Sequence, residues 1–226
     1  MKKMLFAIFA HPDDEAFGPS GALLMESRRG TAVHMVLLTA GEAGRNPDNA
    51  PNLGEVRLNE WRKSGELIGA AGQHFLGYKD GQLNNQHLET IGRQLVDLIT
   101  NTVDDNTTEI EIITNDTNGV TGHIDHIVAA RAALFAFYKL KQTDPRVTQI
   151  RLSCLPYNQS PDPNVAWIYA DPGRSPKEVD QIVDARQHQS EIIEIMKTHH
   201  SQREDCQCHL KDGLKEVGLH HFVVKH

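Results

Sequence analysis

Two short stretches hold the residue types from which a reactive site can be built. Ala10-His11-Pro12-Asp13-Asp14-Glu15 places one imidazole and two adjacent carboxylates directly after the apolar run Met4–Phe9. Gly122-His123-Ile124-Asp125-His126 places two more imidazoles and another carboxylate soon after a second strand-like run, Ile110–Thr114. Imidazole nitrogens and carboxylate oxygens are ligands for divalent ions. His123 and His126 are three apart where a helical pattern starts, so both rings leave the same face. Asp13 and Asp14 are chain neighbours with diverging side chains, so one can bind an ion while the other faces a water on it. Two histidine nitrogens, one carboxylate oxygen and an open fourth position make a catalytic zinc arrangement. The two stretches therefore read as halves of one mononuclear site, with zinc expected and Fe2+ the alternative, since imidazole accepts both.

The elements that must bring these halves together follow from the hydrophobic pattern. Strand 4–10 is almost wholly apolar, as expected where both faces of a parallel sheet are covered. A helix from about Pro19 to Arg29, closed by Gly30, leads to a strand at Val33–Leu38. Thr39–Leu53, with two glycines and two prolines, is a long surface loop of the kind that carries function. A helix over roughly Gly54–Ala71, a short strand near His74–Leu76 and a turn at Gly77–Gly81 come next. Leu88, Ile91, Leu95, Leu98 and Ile99 keep helical spacing. A strand at 109–114 delivers the second motif, whose helix runs to about Leu140.

Beyond Thr143, Gln149–Leu155 and Val165–Tyr169 read as strands around a Pro-rich loop. Ser175-Pro176-Lys177-Glu178 has the form of a helix start, predicting a helix to about His199. Residues 203–218 read as a polar tail, and His220–Val224 as an edge strand. The whole predicts one α/β domain over 1–226, Rossmann-like, with a mostly parallel sheet, helices on both faces and an irregular C-terminal portion. Ligands of open α/β sheets bind beyond the carboxyl ends of the strands, where both motifs would emerge. Gly18 and Gly21 do not form the three-glycine dinucleotide fingerprint.

Composition narrows the partners. A formal charge of −7 over 226 residues argues against nucleic acid, which favours basic faces. No apolar run approaches the length of a membrane span, and the apolar start lacks a cleavage site, so no membrane anchor and no signal peptide are expected. Three cysteines, Cys154, Cys206 and Cys208, make no disulfide framework and suit a reducing, cytoplasmic setting. Self-association into a homo-oligomer is neither specified nor excluded.

The first motif, the second motif and their order resemble the LmbE/PIG-L family of N-acetylglucosaminyl de-N-acetylases. Thr39-Ala40-Gly41-Glu42-Ala43-Gly44 is similar to that family's loop after the second strand. Arg57-x-x-Glu60, Gly77–Gly81 and His199-His200-Ser201-Gln202 are weaker echoes. The resemblance covers about residues 4–140. It implies His11, Asp14 and His126 as zinc ligands, Asp13 as the general base and His123 as the residue facing the reacting carbonyl. Asp125 is expected to hold His123 in its tautomer, with a plain surface role as the competing reading. The implied activity is a zinc-dependent hydrolase that removes acetyl from an N-acetylglucosamine-type substrate, metal-bound water attacking the amide. A small N-acetylated sugar conjugate is the implied partner. The rival readings are a metal-dependent amidase acting on another N-acyl group and a catalytically silent binding protein. Some family members use a tyrosine two residues before the first histidine of the second motif. Here that position is Thr121, whose hydroxyl is too short for the same role.

Around this centre, Arg57, Arg45 and Asn115 are the candidates for contact with substrate. Arg57 also fits a helix-surface pair with Glu60. Glu15 reads as a structural residue complementing a helix N-terminus. Asp80 reads as a turn former in preference to a sugar ligand. Cys206-Gln207-Cys208-His209 has no matching pair elsewhere and reads as polar tail rather than a second metal site, and His220, His221 and His226 as tail residues without a role.

Overall fold

The computed structural model describes residues 2–157 and 173–226, so the strand expected at Val165–Tyr169 lies outside the described residues. Five parallel strands form the body of the sheet: β1 (Lys2–Phe9), β2 (Ala32–Thr39), β3 (Gly72–Tyr78), β4 (Thr107–Asn115) and β5 (Val147–Cys154). Two further strands, β6 (Gln181–Asp184) and β7 (Leu219–Lys225), extend it antiparallel beyond β5, giving the order β3-β2-β1-β4-β5-β7-β6. The chain winds outward from β1 through β2 to β3, then crosses back to β4. That reversal opens a crevice at the carboxyl ends of β1 and β4, the usual place for a ligand in such sheets. Both motifs leave the sheet there.

Alternation along β1 sorts its side chains to two cores. Met4, Phe6 and Ile8 pack with Ile91, Leu95 and Ile99 of α4 (Leu88–Thr102) and with Ala129, Ala133 and Phe137 of α6 (Ile124–Lys141). Leu5, Ala7 and Phe9 pack with Ala22 and Leu23 of α2 (Ser20–Arg28), Trp61 and Ile68 of α3 (Leu53–Ile68) and Ile195 of α7 (Gln189–Thr198). Burial on both faces is what an unbroken apolar strand requires. The run of buried alanines on α6 lets that helix approach the sheet closely.

The C-terminal third departs from expectation. Ser175 and Glu178 do bond, the serine N–H and hydroxyl both donating to Glu178 Oε2 at 2.9 and 2.7 Å. The result is one closed turn and not a helix, because Ile182 and Val183 follow and pair with His221 and His220 of β7. The α-helix begins only at Gln189, after a single 3-10 turn at Arg186–His188. His220–Val224 is indeed strand, but an interior one, with β6 outside it. The stretch expected as polar tail contains a helix, α8 (Arg203–Gly213), whose Cys206 is buried against Ile192 and Met196. His220 is also buried, its Nε2 accepting the backbone N–H of Gly21 at 3.1 Å.

Candidate metal centre

At the end of β1 the chain turns sharply into α1 (Asp14–Phe17). Asp13 takes φ 111°, ψ −24° there, a left-handed conformation that costs a non-glycine residue on the order of 1–3 kcal/mol. The turn is closed by Asp14, whose Oδ2 accepts the N–H groups of Ala10 and His11 at 3.1 and 3.0 Å. After β4, the short turn α5 (Gly119–Gly122) contains a second unusual residue, Val120 at φ 63°, ψ −59°. This is a γ-turn conformation, rare for a β-branched side chain. The carbonyl just before it, Gly119 O, accepts a hydrogen bond from His126 Nδ1 at 3.0 Å.

These bonds determine which ring nitrogens carry lone pairs. His126 gives its Nδ1 hydrogen to Gly119, so its Nε2 is an acceptor. His11 Nε2 faces Asp80 Oδ1 at 3.0 Å and Asp125 Oδ2 at 3.3 Å, so it bears hydrogen and its Nδ1 is the acceptor. The two lone pairs then face each other, His11 Nδ1 to His126 Nε2, at 3.0 Å. Asp14 Oδ1 stands 3.1 Å from His126 Nε2. Three electron-rich atoms so close call for positive charge among them, a shared proton or a metal ion. Zn–N bonds of about 2.0–2.1 Å in a tetrahedral site put ligand nitrogens about 3.3 Å apart, close to what is seen. The donor set fits a divalent ion.

Charge agrees with geometry. Burial disfavours a charged His11, yet Asp125, Asp80 and Asp14 together overcome that and lift its pKa to about 10. Burial pushes the Asp14 carboxyl upward, but His126 and His11 outweigh it and hold the group well below the usual range. Here too the structure asks for positive charge at the convergence point.

His123 also places a ring nitrogen within 4.8 Å of those of His11 and His126, and His11, Asp80 and Asp125 form a second such group. The second group shares the Nε2–H of His11 and acts as its hydrogen-bond acceptor pair. His123 caps α6, its Nδ1 accepting the N–H of Asp125 at 3.1 Å, which leaves the hydrogen on Nε2. Its ring lies edge-on to His11, centroids 4.7 Å apart. Burial and the nearby His126 and His11 lower its pKa to about 4, so it is neutral at pH 7.

Asp13 lies on the other side of the turn, its side chain largely buried, with Oδ2 2.8 Å from Arg57 Nη2. Burial raises its pKa to about 6, against the pull of Arg57.

Six residues expected at the site, His11, Asp13, Asp14, His123, Asp125 and His126, are thus gathered in one crevice. Others stand differently. Asp125 directs its carboxylate at His11 and at the N–H groups of Gly81 and Leu83, 2.7 and 3.2 Å away, and so orients His11, while it fixes the tautomer of His123 through its backbone N–H and not its side chain. Arg57 is no surface charge: 4% exposed, it donates to Gly41 O, Pro12 O and Asp13 inside the protein. Arg45 is exposed and pairs with Glu204 of α8 at 3.3 Å. Asn115 is buried at the end of β4, in register with Ser153. Glu15 is structural, as expected, and stands in the first turn of α1, but it is wholly buried and also accepts from Ser64 Oγ and His199 Nε2. Asp80 does more than make a turn. Its other oxygen accepts the N–H of Ala43 at 2.9 Å, tying the loop after β2 to His11. Its position beyond the carboxyl end of β3, on the same sheet edge, was the signal for it.

A family described as PIG-L, GlcNAc-PI de-N-acetylase, matches residues 6–137, more than half the chain and including both motifs. The chain belongs to the PIG-L family. A relative within reach is the 1D-myo-inositol 2-acetamido-2-deoxy-alpha-D-glucopyranoside deacetylase of Acidothermus cellulolyticus, 30% identical over 181 residues, which are 69% of this chain and 59% of the relative. The chain thus spans about six-tenths of that relative's length. Among solved structures, the N,N'-diacetylchitobiose deacetylase of Pyrococcus horikoshii aligns with a TM-score of 0.72 at 18% identity, over 99% of this chain and 84% of that one. A 4-carboxy-2-hydroxymuconate hydratase from Pseudomonas putida aligns with a TM-score of 0.68 at 16% identity, over 100% of this chain and 97% of that one. The PIG-L architecture, a mostly parallel sheet with helices on both faces, is therefore shared with these structures. Among the described residues of this PIG-L chain, no helix is long and apolar enough to cross a membrane.

Proposed function

We propose that this chain is a zinc-dependent hydrolase that removes the acetyl group from a small N-acetylglucosamine-type sugar conjugate. The observation that carries the proposal is the convergence of His11 Nδ1, His126 Nε2 and Asp14 Oδ1, with the largely buried carboxylate of Asp13 on the adjoining residue of the same turn. His11, Asp14 and His126 would hold the ion, with Fe2+ the alternative for the same donors. When bound, such an ion supplies a Lewis acid that lowers the pKa of water to about 7 and polarises a carbonyl.

The protein's own groups supply the rest. Asp13, with its pKa near 6, is suited to take a proton at neutral pH and to return it to the departing amine. Arg57 holds one oxygen of that carboxylate at 2.8 Å and limits how far burial can neutralise it. His123, neutral and with hydrogen on Nε2, can donate to the oxygen on which negative charge develops. Asp80 and Asp125 fix the ring of His11, a duty that outer carboxylates often perform for ligating histidines. Thr121 reaches less far than a tyrosine would, so polarisation of the carbonyl falls to His123 and the ion.

The fold alone does not choose this reaction, since a hydratase shares it. The choice rests on the donor set and on the deacetylase named among the relatives. Three cysteines without a disulfide suit a cytoplasmic protein, and one sheet drawing strands from both ends of the chain suits a single domain over 1–226. Acetate release from a panel of N-acetylated amino sugars, with chelated protein as control, tests the proposal. Release that is abolished by the chelator and restored by zinc is the expected result. Undiminished release after chelation, or hydrolysis confined to other N-acyl compounds, would overturn it.

A further inference from the structure

The short turn after α7 bonds to three separate parts of the site's frame. His199, fully buried, donates Nε2–H to Glu15 Oε1 at 2.8 Å. Ser201 donates its N–H and hydroxyl to the two carboxylate oxygens of Glu60, on α3, at 2.8 and 2.6 Å. Gln202 donates to the carbonyl of Arg45, in the loop after β2, at 2.9 Å. His199, Ser201 and Gln202 lie beyond residues 6–137, the part of the chain that the family match covers, whereas Glu15, Arg45 and Glu60 lie within it.

Glu15 passes the constraint on. Its Oε1 also takes the hydroxyl of Ser64 at 2.6 Å, and its Oε2 accepts the N–H of Asp13 at 3.2 Å. Asp13 is the residue held at φ 111°. A left-handed aspartate persists only where its surroundings over-determine it. Here the peptide N–H is taken by Glu15, the carbonyl by the N–H groups of Ala16 and Phe17, and the carboxylate by Arg57. The Nδ1 of His199 is buried with no hydrogen-bond partner among the described residues, so the ring's hydrogen bond is the one to Glu15.

We propose that His199 is a positioning residue for Asp13, acting through Glu15 to hold the strained Asp13 peptide and so aim its carboxylate at the reacting centre. The proposal rests on the reading of Asp13 as the base of an N-deacetylase. It gives the segment after α7 a part in the reaction without contact with substrate, and it accounts for burying a histidine–glutamate pair beside the first motif.

The test compares His199→Leu, which keeps the packing against Phe17, with His199→Gln, which retains an N–H donor. Acetate release from N-acetylglucosamine, zinc content and a crystal structure are measured for each. For His199→Leu, kcat falls about 10- to 100-fold while KM stays within about twofold and one zinc is retained; His199→Gln recovers kcat to within about threefold of the parent. Equal loss in both variants, or none in either, overturns the proposal. If the parent protein releases no acetate, the reaction assignment fails, and the crystal structures decide the positioning claim alone. They should show Asp13 near φ 111° in His199→Gln and relaxed away from Arg57 in His199→Leu; an unmoved Asp13 in His199→Leu overturns the claim. Should His199→Leu not fold, Glu15→Gln removes the same constraint and is judged by the same measurements.

Discussion

Asp80 Oδ1 stands 3.0 Å from His11 Nε2, and through that contact a residue at the end of β3 decides which nitrogen of His11 faces the crevice. With Nε2 committed to Asp80 and Asp125, only Nδ1 remains to meet His126 and Asp14.

Removing this orientation should weaken the ion more than the fold. Asp80→Ala and Asp125→Ala are each expected to reduce zinc affinity about 10- to 100-fold, the usual cost of losing such a partner. Competition with a chromophoric chelator reads this directly. Unchanged affinity in both variants would show that His11 needs neither carboxylate.

Asp13→Asn should separate binding from chemistry. The side chain keeps its shape and Arg57 keeps one acceptor, but the group can no longer take a proton. Zinc stoichiometry is expected to stay at that of the parent, while acetate release falls about 100- to 10,000-fold, the range attributed to general acid–base catalysis. Turnover within a few-fold of the parent would remove Asp13 as the base.

Stability should depend on pH through buried histidines away from the crevice. Burial and the neighbouring His221 lower His220 to about 4, and burial with His74 lowers His34 to about 4. Both are neutral when folded, whereas unfolded imidazoles titrate near 6.5. Above pH 6.5 neither state gains a proton and stability is unaffected. Between pH 6.5 and 4 only the unfolded chain binds one, so stability falls as pH falls. The full window for His220 is worth on the order of 3 kcal/mol. Urea unfolding of His220→Gln at pH 7 and pH 5 should show a smaller difference between the two pH values than the parent does.

The loop after β2 is held by α8 through Arg203, which grips both oxygens of Asp48 at 2.7 Å, and through Arg45 with Glu204. These pairs are largely exposed, so each contributes little to stability. Arg203→Ala should leave the melting temperature within a few degrees of the parent. Thermal unfolding monitored by circular dichroism checks this.

The parallel strands were legible because a strand covered on both faces must be apolar throughout, as Met4–Phe9 is. The meeting of His11, Asp14, His123 and His126 in one crevice was legible because they belong to local patterns placed at strand ends. Asp80, Glu15 and His199 were not, because their duties exist only through partners up to 184 residues away in the chain. Arg57 was misplaced for a related reason: a charge on an amphipathic helix is normally solvated, and nothing local shows that Asp13 waits inside. Ser175–Glu178 misled in the opposite direction. Its local bonds form as written, but pairing of Ile182 and Val183 with β7 overrides helical extension.

The most direct measurement is the metal content of the protein purified without added ions, set beside that of His126→Ala after both are dialysed against micromolar zinc. One ion per chain in the parent and none in the variant is the predicted result. A parent that binds no ion, or a variant that binds as much as the parent, would contradict the claim that His11, Asp14 and His126 hold it together.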